Sequence, residues 1–159
     1  MIFVALGTQD KPFNRLINEI DRLICKNVIK EEVIVQAGST KYSGDRLKVF
    51  SLLPMDEFND YLKKASFIIC HAGYGILSTS VSAGKKVIAV PRLKKYGEHT
   101  NDHQLQILHQ YADAGYIKAV VDIAKLEEEI NNINNFIPNE YYVNFLNLQK
   151  LIKNYIDNN

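Results

Sequence analysis

The chain has 159 residues, 47% apolar and 23% charged, with 19 basic against 18 acidic side chains and a net charge of +1. That length fits a single domain over residues 1–159, with a core that needs no disulfide or metal to hold it. Near-neutrality argues against a broad nucleic-acid surface, although it leaves room for a local cationic pocket. Cys25 and Cys70 both sit among apolar neighbours and are expected as buried, reduced thiols. Met1 to Gly7 is apolar but lacks a basic leader and is too short for a signal peptide, and no run reaches the ~20 apolar residues of a bilayer span. The expectation is a soluble cytoplasmic protein that borrows any membrane work from a partner.

Strand and helix patterns alternate along the chain. Ile2 to Leu6 is a short apolar run ending at Gly7-Thr8, as a buried strand entering a turn would. Pro12 suits the first turn of a helix on which Phe13, Leu16, Ile17, Ile20, Leu23 and Ile24 recur at helical spacing. Val33-Ile34-Val35 marks a second strand, closed by Gly38, and Leu47 to Leu53 a third, closed by Pro54. Asp56 is placed to cap a helix carrying Phe58, Tyr61 and Leu62. Ser66 to Cys70 is a fourth strand leading into His71-Ala72-Gly73-Tyr74-Gly75, followed by a helix over Ile76 to Ala83 that stops at Gly84. Val87 to Val90 forms a fifth strand, closed by Pro91. A polar stretch then precedes a helix from Asn101 to Ala114, and Tyr116 to Val121 offers a sixth strand. Helices over Ala124 to Asn132 and Glu140 to Ile156, separated by an Asn-rich turn around Pro138, complete the pattern.

This alternation predicts an α/β fold, a Rossmann-like and mostly parallel sheet with helices on both faces. Right-handed crossovers bring the loops after successive strands to one edge, where such folds bind ligands. Gly7-Thr8-Gln9, Gly38-Ser39-Thr40, His71 to Gly75 and Arg92 to Asn101 should therefore converge.

Several of these residues are suited to phosphate and sugar. Gly73 and Gly75 bracket a strand-to-helix turn, where the backbone can approach an anion and the helix start offers N–H groups. His71 could donate to a phosphate or sugar oxygen, and Gly7-Thr8 offers a second phosphate-compatible turn. Taken alone, each glycine turn also fits a tight turn with no ligand. Glu98, Asn101, His103 and Gln104 are of the kind that hold sugar hydroxyls, although a polar surface loop would look similar. His99 and His103 lack a third partner at metal-binding spacing, so no metal is expected. Gly7-Thr8-Gln9 is not the Gly-x-Gly-x-x-Gly of a dinucleotide fold, and no acidic residue clearly ends the second strand, which weakens an NAD-binding reading.

Taken in order, these motifs resemble glycosyltransferase family 28 C-terminal-domain proteins. The resemblance rests on Met1 to Thr8 with Pro12-Phe13 and Leu16, on His71-Ala72-Gly73-x-Gly75, on Gly84 to Pro91, and on Asn101-Asp102-His103-Gln104. It covers most of residues 1 to 115. The similarity is strongest to soluble subunits of bacterial capsule and exopolysaccharide glycosyltransferases. It extends more distantly to the eukaryotic soluble subunit that adds the second N-acetylglucosamine to dolichol-linked sugar.

The resemblance implies the C-terminal half of a GT-B enzyme that binds a UDP-sugar as donor substrate, with no cofactor and no metal. It implies a membrane-associated partner subunit that supplies the acceptor half and recruits the chain to the inner face of the membrane. The acceptor would be a polyprenyl-diphosphate-linked sugar and the transferred unit a hexose, with galactose or N-acetylglucosamine foremost. Gly7, Thr8, Gln9, His71, Ala72, Gly73, Gly75, Thr79, Glu98, Asn101, His103 and Gln104 are then the donor-binding candidates, with His71 as the catalytic one. Many relatives carry a Glu where this chain has Thr79, so ribose binding is expected to be weaker, or to fall to Glu98. A non-catalytic stimulatory subunit is the alternative, and a homo-oligomer stays open. The final helices would either cover the sheet or meet the partner.

Overall fold

The computed structural model describes residues 1–141. Six strands form one sheet in the order β3-β2-β1-β4-β5-β6, every neighbouring pair parallel. In chain order these are β1 (Ile2–Ala5), β2 (Val33–Gln36), β3 (Lys48–Phe50), β4 (Ile68–His71), β5 (Val87–Val90) and β6 (Lys118–Ala119). The helices are α1 (Asn14–Cys25), α2 (Met55–Lys64), α3 (Tyr74–Ser82), α4 (His103–Asp113) and α5 (Leu126–Asn132).

All four residues of β1, β2 and β5 are buried, as in a parallel sheet covered on both faces. The period-two alternation of a strand divides them between two cores. Ile2 and Val4 of β1 pack with Leu16, Ile17, Ile20 and Leu23 of α1 and with Leu126 and Ile130 of α5. Phe3 and Ala5 face the opposite way, toward Leu62 of α2, Leu77 and Val81 of α3, and Leu108 and Tyr111 of α4. Each aliphatic side chain so enclosed is worth roughly 2 kcal/mol of transfer free energy. The α/β class, the parallel sheet and the two helical layers expected from the sequence are all present.

Several boundaries shift for local reasons. Pro12 lies outside α1, whose N-cap is Phe13; the Phe13 N–H, which has no intrahelical acceptor, is satisfied by the Thr40 hydroxyl at 2.9 Å. Asn27 ends α1 in the left-handed region at φ 58, and the Val28 N–H returns to the Leu23 carbonyl at 3.0 Å. Pro54, not Asp56, caps α2; Asp56 and Glu57 sit in its first turn, where the helix dipole favours carboxylates. Helix α3 starts at Tyr74 with Gly73 as N-cap, two residues before the expected Ile76. Helix α4 starts at His103 rather than Asn101, because the Asn101 side chain accepts from the His103 N–H at 3.1 Å. Strands β3 and β6 are shorter than their apolar runs, so Leu52 and Leu53 leave the sheet.

The helix expected over Ala124 to Asn132 is a 3-10 turn, Ile123–Lys125, followed by α5. Cys70 is buried, but Cys25 is exposed at the last position of α1. From Tyr142 onward, the expected final helix lies outside the described residues.

Candidate functional site

Strands β1 and β4 are neighbours, yet α1 leaves β1 toward one face and α3 leaves β4 toward the other. The two loops part, opening a crevice at the carboxyl edge where the strand order reverses. A cavity of about 420 Å³ lies there, within the usual range for a small-ligand site. Around β1 and β4 it is lined by Ala5, Gly7, Thr8, Gln9, His71 and Gly75. Toward β2, β3 and α2 it is mostly apolar, with Leu52, Leu53, Met55 and Phe58 beside Gln36 and Asn59. Ile76 and Thr79 contribute from α3. Leu52 and Met55 expose most of their surface at its rim.

The turn after β1 is held open by close backbone packing. Gly7 has φ 85, and a Cβ there would stand 2.9 Å from the His71 ring. Gly38, at φ 60, brings the turn after β2 against the Gly7 carbonyl, with which a side chain would collide. Ser39 donates to the Gln9 carbonyl at 2.7 Å, while Thr40 holds the Phe13 N–H. The loop after β2 thus supports the loop after β1, as its position at the same edge predicts.

From the other side, Arg92 grips the β1 loop. Its side chain is fully buried beneath the segment after β5. Nη2 and Nε donate to the Leu6 carbonyl at 2.6 and 3.2 Å, and Nη1 to the carbonyls of Lys11 and Glu98 at 2.7 and 3.2 Å. Its guanidinium also lies 4.9 Å from the Phe13 ring centroid. Burial lowers its pKa from the usual value, and Glu98 and Asp10 oppose that shift.

Glu98 and Gln104 belong to this same brace and not to the cavity lining. Glu98 is 3% exposed; it accepts from Arg15 through both oxygens at 2.9 Å and from the Leu93 N–H at 3.0 Å. Both oxygens are engaged, and the buried side chain lies outside the cavity lining, so it is not placed to substitute for a ribose-binding carboxylate at Thr79. Gln104, 5% exposed, accepts from the Arg92 N–H at 3.0 Å. Asn101 and His103 are exposed near the start of α4, where the His103 ring meets Gln106 at 3.1 Å. Neither lines the cavity. His99 does reach toward the site, contacting the Gln9 side chain at 3.0 Å.

His71, the last residue of β4, is the titratable group of the cavity. Its Nδ1 lies 3.3 Å from the Ala5 carbonyl, which can only accept, so a hydrogen bond there places the proton on Nδ1. A neutral ring then leaves Nε2 with its lone pair in the notch beside Gly7 and Gly73. Enclosure pushes the His71 pKa down to about 4; the Ala5 carbonyl opposes this, and the Arg92 and His99 charges add to it. At neutral pH Nε2 can therefore accept a hydroxyl proton, and it donates to an anion only after taking up a proton.

Ala72 is fully buried, and Gly73 begins α3 with no side-chain cap. The Leu77 N–H is the first to bond back, to the Gly73 carbonyl at 3.1 Å. The N–H groups of Tyr74, Gly75 and Ile76 are left without intrahelical acceptors, beside the cavity. The Thr79 hydroxyl donates to the Gly75 carbonyl at 2.9 Å, leaving only its lone pairs for a ligand. Among the described residues no group of three or more His, Cys, Asp or Glu is placed to hold a metal ion.

Sequence reasoning did not single out the apolar end or Arg92. Leu52 to Phe58 read as strand end and amphipathic helix, and only the early termination of β3 turns them to the cavity. Gln36 had a signal: it is a polar residue in a β-branched run, at the carboxyl end of a buried strand.

Among solved structures, the chain resembles the glycotransferase of kitacinnamycin at TM-score 0.60 and 14% identity over 87% of its length, spanning 35% of that chain. It resembles ALG13, in a solution structure, at TM-score 0.59 and 17% identity, covering 89% of both chains. Against MurG of Acinetobacter baumannii the TM-score is 0.54 at 18% identity, over 83% of this chain and 40% of that one. At such identities these matches speak for the fold alone, and the chain spans little more than a third of the first of them. No curated protein sequence matches it. Residues 1–153 match the glycosyltransferase family 28 C-terminal domain, and the chain belongs to that family.

Proposed function

We propose that the chain is the donor-binding subunit of a UDP-sugar-dependent glycosyltransferase. It transfers a hexose, galactose or N-acetylglucosamine, to a polyprenyl-diphosphate-linked sugar in exopolysaccharide or capsule assembly. The observation that carries this reading is the cavity at the strand-order reversal. It joins a floor of backbone N–H groups without intrahelical acceptors to an end lined mostly by apolar side chains.

In this reading the diphosphate lies against the turn after Gly7 and the start of α3. The base enters the apolar end, and the ribose meets Thr79 and Asn59. As the sugar departs, charge growing on the diphosphate is stabilised by dipoles already in position, so no metal or cofactor is needed for the leaving group. A proton taken from solvent as the diphosphate binds turns His71 Nε2 into a further donor to it. The acceptor half and its general base reside on a membrane-associated partner, which brings the chain to the inner membrane face.

Titration calorimetry with UDP tests the reading. The wild-type chain should bind, and His71→Ala should bind more weakly by a margin that widens toward about tenfold as pH falls from about 7 to about 5, where Nε2 more readily takes up a proton and becomes a charge-assisted donor. Equal binding by both would remove His71 from the site, and no binding by the wild type would overturn the donor reading for this chain. That second outcome favours a non-catalytic stimulatory subunit, an alternative supported by the commitment of the Thr79 hydroxyl to its own helix.

A further inference from the structure

We infer that Gln36 is the residue that selects the nucleobase, by donating from its side-chain amide to the carbonyl at the edge of uracil farthest from the ribose. The inference rests on the donor-site reading and adds a specificity determinant to it.

Gln36 ends β2 and is 6% exposed, yet it lines the cavity. Its Oε1 accepts from the Leu53 N–H at 3.0 Å, which fixes the amide so that oxygen and nitrogen cannot exchange places. Its Nε2 makes no hydrogen bond to the described residues. Nor is that atom among the buried polar atoms left without a partner, which are Arg15 Nη1 and Ser80 Oγ. What little surface Gln36 retains is therefore in the cavity, and Nε2 keeps its access there. An oriented primary amide held in an apolar wall is costly unless a ligand uses it.

The sheet order supplies the direction. Gln36 is in register with Ala5 of β1 and Phe50 of β3, one strand removed from the β1–β4 crevice that holds the phosphate-compatible turns. A nucleotide with its diphosphate over that crevice points its base toward β2 and β3. The ring atom opposite the glycosidic nitrogen then arrives deepest. In uracil that atom bears a carbonyl oxygen, an acceptor matched to the Gln36 N–H groups. In cytosine it bears an amine, which meets them donor to donor. A site built around a polar partner rejects the wrong base by leaving its own group unpaired.

The test compares UDP and CDP binding to the full chain by calorimetry, in the wild type and in Gln36→Glu. The variant keeps the side-chain size and the acceptor for Leu53 N–H but loses both donors. The wild type should prefer UDP by about tenfold or more, and the variant should lose that preference or invert it. A UDP preference unchanged in a folded variant overturns the inference while leaving the donor reading intact. A second measurement needs no variant: the diphosphate of 4-thiouridine keeps the N3–H but replaces the far carbonyl oxygen with sulfur, a weaker acceptor, and should bind the wild type about fivefold more weakly than UDP. Equal binding of the two overturns the inference. A wild type that binds neither UDP nor CDP overturns the donor reading, and this inference with it.

Discussion

At the scale of single residues, the cavity is set by which polar atoms are already spoken for. Glu98 is withheld from a ligand because it is buried against Arg15 and Leu93, away from the cavity lining. Thr79 offers only lone pairs because its hydroxyl is spent on Gly75. Restoring a carboxylate there should help ribose binding: Thr79→Glu is expected to tighten UDP binding several-fold, up to about tenfold, in calorimetric titration. Weaker binding in the variant would mean that the ribose does not lie along α3. The sequence identified Thr79 as a departure from its relatives, but it could not show that the obvious substitute, Glu98, was buried in an ion pair. That depends on Arg15, a residue 83 positions away.

Among the elements, the segment after β5 acts as a strap over the β1 loop, and Arg92 is its fastening. Its donors satisfy three backbone carbonyls, of Leu6, Lys11 and Glu98. Arg92→Met fills similar space but leaves those carbonyls unsatisfied, and should cost about 2–4 kcal/mol in urea denaturation. A loss under 0.5 kcal/mol would show that water replaces the side chain without penalty.

Much at this scale was legible in the sequence. The strand ends at Gly7, Gly38, Pro54 and Pro91 and the helical spacing of α1 follow from local chemistry. What escaped was decided by distant partners. The Phe13 N–H at the entrance to α1 is met by Thr40, and Leu53 turns inward with its own N–H on Gln36. Of the candidate site, both glycine turns and His71 were found. Its apolar end was not, because the side chains there read as ordinary core.

For the molecule as a whole, the enclosed imidazole couples stability to pH. A His71 pKa pushed down to about 4 from the ordinary 6.5 means that the unfolded chain binds the proton more tightly than the folded one. The contribution is fully present above pH 6.5 and is lost as pH falls toward 4. Between pH 7.5 and 4.5, His71 should cost the fold on the order of 2 kcal/mol, a loss absent from His71→Gln. Parallel denaturation curves for the two proteins at both pH values measure it. Equal losses would place the ring in solvent when the chain is folded. The sheet that encloses the ring was itself predictable, since alternating strands and helices leave few topologies once crossovers are right-handed.

Among the described residues, no lysine or arginine lines the cavity, since Arg92 is turned toward carbonyls and Arg15 toward Glu98. A site furnished with dipoles in place of fixed cations exerts little pull beyond contact range. In a crowded cell it would not be flooded by whichever polyanion is most abundant. Residence there would be granted by shape and hydrogen-bond register, and competition from other phosphorylated metabolites would be muted at no cost in binding-site size.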